Sequence, residues 1–455
     1  MTRCIKHRQR KTKKRSESSS SVPQLPVKVW QPGVDRLEED EELQCDPSAY
    51  NSLHAFHIGW PCLSFDIVRD TSGLVRKEFP HTVYFMAGTQ AEKPSWNSIG
   101  IFKVSNISGK TREPVPNHET DDFGMDSEDS DSEDDSEDEE GVVGGPNLQL
   151  RKVTHEGCIN RIRSMPHKPH ICASWGDCGH VQIWDMSSHL KALAETETEG
   201  VQGDDVAQVP LQKFKHKDEG YAIDWNPHAC LLSGDCNNNI YLWEPTSAAT
   251  WNIDQTPFTG HTGSVEDLQW SPKPDVFASC SVDKSIAIWD TRCRRSPRLT
   301  FIAHNADVNV ISWNRSAGYT SNLLASGSDD GSISVHDLRS LQEGKDPVVA
   351  HFEYHKHPIT SIEWNPDNTS SFAVSSSDNQ LTIWDLSVER DEEEEAEFIA
   401  RNQGQVRAPE DLPPQLLFIH QGQKYPKELH WHPKIPGMIV STAADGFNVL
   451  MPSNI

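Results

Sequence analysis

No stretch of 18 or more uninterrupted apolar residues occurs in the 455-residue chain, and its first residues lack the apolar core of a secretory leader. Both lacks lead to the expectation of a soluble intracellular protein. Positive charge is scarce: 42 Lys plus Arg stand against 68 Asp plus Glu, a formal net charge of −26 at pH 7. A surface of that sign repels phosphate backbones and anionic lipid, so sequence-specific nucleic-acid binding and membrane binding are disfavoured and a basic protein partner is favoured. The ten cysteines include no C-x-x-C pair. Their nearest neighbours, Cys172 with Cys178 and Cys230 with Cys236, fall in strand-like segments and read as reduced, apolar side chains; no metal and no cofactor is expected. A Gly-rich phosphate loop, a nucleophile elbow and an H-E-x-x-H motif are all missing, which leaves no recognised catalytic signature.

What is present is repetition. His216 and Trp225, His261 and Trp270, His304 and Trp313, and His355 and Trp364 are each nine positions apart, and the units that carry them recur at roughly the 40 to 45 residue period of WD repeats. Units close on Trp184-Asp185, Trp243-Glu244, Trp289-Asp290, His336-Asp337 and Trp384-Asp385, and a diverged unit runs from His420 to Leu450. Short alternating runs such as Ser285-Ile286-Ala287-Ile288, bounded by Asp-Lys, Asp-Asp-Gly and Asn-Pro turns, read as strands. The expected fold is all-β, a seven-bladed WD40 β-propeller. Ile455 directly follows the inner strands of the last unit, so the N-terminal region is expected to provide the missing outer strand from within 50 to 62, with 63 to 68, 83 to 88 and 99 to 104 in the first blade. Closure removes free sheet edges. The recurring set His261, Ser279, Asp283 and Trp289 superficially looks like a hydrolase triad, but a triad is built once, whereas this set repeats and reads as a hydrogen-bond network at blade turns.

Four segments interrupt or precede the blades. Residues 1 to 44 combine a basic run over 6 to 15, a Ser run and an acidic run, and read as a disordered arm carrying a nuclear-import signal. An insertion over 106 to 147 includes fourteen acidic residues and no Lys or Arg between Glu119 and Glu140, and a second over 388 to 412 contains unbroken acidic sequence from Asp391 to Glu395. Both, like a third over 188 to 210, are read as insertions, the two acidic ones as disordered. Ser130, Ser132 and Ser136 each have an acidic residue three positions later and are expected targets of an acid-directed kinase. The propeller is assigned to 45 to 455. Asp46-Pro47 is a good helix start, and Tyr50, Leu53 and Phe56 follow at i, i+3 spacing, so an N-terminal helix is expected there.

Three motifs resemble one family. Tyr50-Asn-Ser-Leu-His54 followed by Trp60-Pro-Cys-Leu-Ser-Phe-Asp66, the run from Glu410 through Pro413-Pro414 to His420, and Glu219-Gly-Tyr221-Ala-Ile-Asp-Trp225 are similar to the chromatin assembly factor small-subunit family of histone-binding WD proteins. The likeness spans nearly all of 45 to 455. It implies a non-enzymatic nuclear and nucleolar protein that escorts basic clients, histones (the H3/H4 pair or the other core pair) and a large-subunit ribosomal protein, in ribosome biogenesis and chromatin assembly. It also implies two sites. A helix groove would comprise Tyr50, Leu53, Glu410, Asp411, Pro413 and Pro414. The narrow end of the propeller would use Asn160, Glu219, Tyr221, Glu266 and Asn309 to receive a Lys/Arg-rich tail. The sequence departs from the family at Cys158 and over 358 to 360, where acidic and aromatic residues are expected. Separately, Trp289-Asp290-Thr291-Arg292 matches the W-D-x-R end of repeats that dock some propellers onto a cullin-type ubiquitin ligase adaptor, which gives the alternative of a substrate receptor.

Overall fold

The computed structural model describes residues 3–7, 41–69, 74–109, 145–195, 207–247, 249–293, 296–316, 318–389 and 412–455. Ser130, Ser132, Ser136, Glu410, Asp411 and most of the N-terminal arm lie outside them; from the arm, Arg3–His7 pairs antiparallel with Glu41–Cys45. Among the described residues, seven four-stranded antiparallel sheets follow one another as the blades of a propeller. Each blade runs from an inner strand at the channel to an outer strand. In the fourth these are Val265–Trp270, Val276–Ser281, Ser285–Asp290 and Leu299–Ile302.

The alternation of side chains along a strand explains why the central strands are buried on both faces. In the fourth blade, Phe277, Ala287 and Trp289 pack back onto Leu232, Leu242 and Phe258 of the third. Their neighbours Ala278, Cys280, Ile286 and Ile288 pack forward onto Val308, Ile311 and Trp313 of the fifth. The repeated His and Ser residues are buried with the Trp of this packing. The Trp289 indole N–H donates to Ser279 Oγ at 2.8 Å, and that hydroxyl lies 2.6 Å from His261, whose other nitrogen is 3.0 Å from Asp283. The arrangement recurs at His216, Ser233 and Trp243 and at His355, Thr382 and Trp384. In the fifth blade His336 replaces the tryptophan and meets Ser326 at 2.9 Å. These sets are structural in every blade where they occur, and each supplies a buried polar group with its partner.

The ring closes as expected: Tyr50–Phe56 pairs with Gly446–Pro452 and becomes the outer strand of the seventh blade. It follows that the expected N-terminal helix is not formed. The start signal is real, because Asp46 accepts from the Ser48 N–H at 2.9 Å and Pro47 opens a turn, but that turn is a single 3-10 turn over Pro47–Ala49. A short helix is costly to nucleate, whereas the open edge of the last strand offers a full ladder to Tyr50–Phe56 and would otherwise be exposed.

Neighbouring blades are also stitched around the channel. At most of the seams, backbone N–H groups of one inner strand donate to side chains of the preceding inner strand. Ser64 accepts from Ile162, Asp66 from Ser164, Asp224 from Trp270, Asp267 from Ile311, and Gln269 from Trp313. Glu363 accepts from Trp431, and Glu428 completes the circle by accepting from the Phe65 N–H at 2.7 Å.

Candidate binding rim at the channel mouth

The inner strands all begin at one end of the channel, and that end collects the polar residues expected there. Asn160 is the second residue of Ile159–Met165, Tyr221 immediately precedes Ala222–Trp225, Glu266 is second in Val265–Trp270, and Asn309 is second in Val308–Trp313. Equivalent register in four consecutive blades therefore brings these four, together with the fifth expected residue, Glu219, to one mouth. They divide into two roles. Asn160 is buried and donates to Gly220 O at 3.3 Å, and Asn309 donates to Ile359 O at 3.2 Å, so both amides tie one blade to the next. Glu219, Tyr221 and Glu266 are half-buried and face the opening.

Among the described residues neither Glu219 nor Glu266 forms an ion pair; Asn160 donates to Glu219 at 3.4 Å. Burial raises the Glu266 carboxyl above its ordinary range, with Ser264 and Arg161 opposing this and the like charge of Asp307 adding to it. Burial also pushes the Tyr221 phenol up to about 12, helped by Glu219 and Glu266. The mouth is thus a negative site, and a cation arriving there would relieve the repulsion. Below it lies a buried ion cluster that sequence reasoning missed. Arg161 and Arg163 reach Glu428 Oε1 at 2.9 and 2.6 Å, and His430 sits 3.0 Å from Glu363. Its sequence signal was polar residues alternating along the inner strands, a pattern that ordinarily marks a solvent face.

The two departures from the family pattern have structural roles. Cys158 donates to Ala91 O at 3.5 Å, and Thr360 donates to Pro426 O at 3.0 Å. Neither contributes the acidic or aromatic side chain expected from the family.

The expected helix groove takes a different form. Tyr50 is buried in the seam between the last two blades, its ring edge-on to Phe418 at 5.3 Å and its hydroxyl 2.8 Å from His420. Leu53 is half-buried against the same cluster. Pro413 and Pro414 lead into the outer strand Leu416–His420, with Pro414 exposed. The structure therefore brings Tyr50 and the segment after the double proline together, on a strand and not on a helix. In the W-D-x-R segment, Trp289 is fully buried. Asp290 clamps Arg292 at 2.9 and 2.8 Å, and the Arg292 side chain stays 66% exposed.

Known proteins place this geometry in context. Residues 40–108 match the family described by the histone-binding protein RBBP4 and its counterpart in the CAF1 complex, and 253–290, 295–337 and 347–385 match the WD domain, G-beta repeat. The chain is 64% identical to protein heat stress tolerant DWD 1 of Arabidopsis thaliana, covering 98% of this chain and 96% of the relative. It is 47% identical to glutamate-rich WD repeat-containing protein 1 of Dictyostelium discoideum over 94% of this chain and 86% of that protein. To the ribosome assembly protein rrb1 of Schizosaccharomyces pombe it is 41% identical, over 93% and 84%. With the closed propeller, the histone-binding-type N-terminal region and a rim suited to binding, these matches show that the chain belongs to the WD-repeat family of the glutamate-rich WD repeat and ribosome assembly proteins, whose fold is a binding scaffold.

Proposed function

We propose that this propeller binds basic proteins, histones and a large-subunit ribosomal protein among them, and escorts them in the nucleus and nucleolus during ribosome biogenesis and chromatin assembly. It does so without catalysing a reaction. The observation that carries this reading is the pair of half-buried carboxylates, Glu219 and Glu266, without an ion-pair partner among the described residues, at the mouth of a channel in a chain of net charge −26. Held there, a cationic segment is kept from nucleic acid. The acidic tract from Glu119 to Glu140 adds a second, diffuse field, and phosphates on Ser130, Ser132 and Ser136 would each strengthen it by about −1.5 to −2 charges.

The two contributions separate by salt. Glu219→Gln with Glu266→Gln is expected to weaken binding of an Arg/Lys-rich peptide on the order of tenfold, since charge-assisted hydrogen bonds are lost at a partly desolvated site. Deleting 119 to 140 should matter mainly at low salt, because exposed charges are screened over roughly 8 Å at physiological ionic strength. Calorimetric titration across a salt series checks both, run also on natively purified protein before and after phosphatase. Equal loss at every salt concentration would count against the tract, and an unaffected double variant would count against the rim.

A second reading, a substrate receptor for a cullin-type ubiquitin ligase, is favoured by one observation: Asp290 presents an exposed Arg292 at the end of a blade. Arg292→Ala should then lose a co-purifying cullin adaptor while retaining ribosomal proteins and histones; an unchanged adaptor signal rejects it.

A further inference from the structure

Next to the acidic rim, the first blade carries an aromatic pair, one ring exposed and the other half-buried. Trp60 lies in the loop before Cys62–Ile67, and Trp96 ends the 3-10 turn Pro94–Trp96. Trp96 is 48% exposed, and its ring centroid lies 5.8 Å from that of Trp60 at an interplanar angle of 33°. Lys93 places its Nζ 4.2 Å from the centre of the Trp96 ring. A continuous chain of contacts joins this pair to the rim: the Gln90 N–H donates to Pro61 O, its side chain donates to Asn160, and Asn160 donates to Glu219.

We propose that Trp60 and Trp96 form an aromatic subsite that takes the guanidinium of an arginine on the same basic segment that Glu219 and Glu266 hold. The inference rests on the binding of basic segments at the rim and adds to it a preference for one cation. The planar, weakly hydrated guanidinium stacks on indole where a lysine ammonium acts as a point charge. Insertion between the rings would need about 7 Å, two stacking distances of roughly 3.5 Å, which exceeds the 5.8 Å present. The arginine therefore packs on the Trp96 ring from outside the pair and competes with Lys93, whose Nζ lies 4.2 Å from the ring centre. Lys93 is a resident cation that an incoming arginine displaces.

The test uses the full-length protein and two ten-residue peptides, one with four arginines spaced by glycines and one with four lysines in the same places. Trp96→Ala should leave the melting temperature unchanged, weaken the arginine peptide roughly fivefold and weaken the lysine peptide less. Lys93→Ala should tighten the arginine peptide. If Trp96→Ala binds both peptides like the parent while Glu219→Gln with Glu266→Gln loses both, the aromatic subsite is wrong and the acidic rim stands. Weaker binding by Lys93→Ala, failure of the parent to bind the arginine peptide, or Trp96-dependent binding of a uridine decamer in place of the peptides would each overturn it.

Discussion

Glu428→Gln is expected to destabilise the folded chain by about 3–5 kcal/mol, the range for removing one partner of a buried ion pair. The Glu428 side chain is 2% exposed and neutralises two guanidinium groups, Arg161 and Arg163, that belong to the second blade while Glu428 belongs to the seventh. Glutamine can still accept from the Phe65 N–H, but its amide N–H groups would confront donors with donors and leave two largely buried guanidiniums without their directly paired counter-charge. Urea unfolding followed by tryptophan fluorescence measures the loss, and a change below about 1 kcal/mol, small against the range for a broken buried pair, would show that the cluster does not hold the ring.

The same cluster sets a pH dependence with a definite sign. Burial works to raise the Glu428 carboxyl, but Arg163 overrides it and holds the group well below the usual carboxylate range. Its stabilising contribution is therefore present above the ordinary carboxylate value and disappears as pH falls. His430 behaves oppositely. Burial alone would lower it, yet Glu363 and Glu428 raise it from 6.5 to about 10. Its contribution is complete below 6.5 and is lost as pH climbs towards 10. The parent should lose stability across that window, and His430→Gln should flatten the slope.

Removing residues 41 to 56 is expected to have the larger effect still, namely association of the chains into larger species. Gly446–Pro452 would then present an unpaired edge, and Phe56 and Tyr50 would leave the clusters they complete. An open edge beside exposed apolar surface favours association with other chains. Light scattering after size exclusion tests this, and a peptide spanning 45 to 58 supplied in trans should restore the parent's mass. A truncated protein that keeps the parent's association state and melting midpoint would show that the seventh blade does not need its fourth strand. Tyr50→Phe is the graded version: it leaves buried His420 facing no hydroxyl and should cost about 1–3 kcal/mol.

These expectations separate what a linear reading could reach from what it could not. The repeats were legible because each blade must solve the same local problem, and His261, Ser279 and Trp289 solve it at the same spacing as their counterparts. The rim residues Glu219, Tyr221 and Glu266 were legible from motif position, and equal register did bring them to one mouth. The apolar residues of Tyr50–Phe56 fit helical spacing, whereas the strand that forms buries Tyr50 and Phe56 with Ser52 and turns Leu53 to the other face, so only the need to complete the last sheet points to a strand. Trp96 lay in a loop with no periodic signal. The Arg161, Arg163, Glu428 and His430 cluster gave only an alternation that usually means solvent.

The sequence by itself determined the blade: its strand alternation, its buried hydrogen-bond network and the need for an N-terminal strand to finish the last sheet. Those follow from local chemistry, repeated at a fixed period. Only the tertiary structure decided that Tyr50 seals a seam. It likewise decided that polar residues of the inner strands point into a channel and pair across blades, and that Trp60 and Trp96 meet beside the acidic rim. The physical reason is that closing the ring brings residues hundreds of positions apart to within hydrogen-bond distance, as it does Phe65 and Glu428, and converts an apparently solvated strand face into the lining of a shared interior.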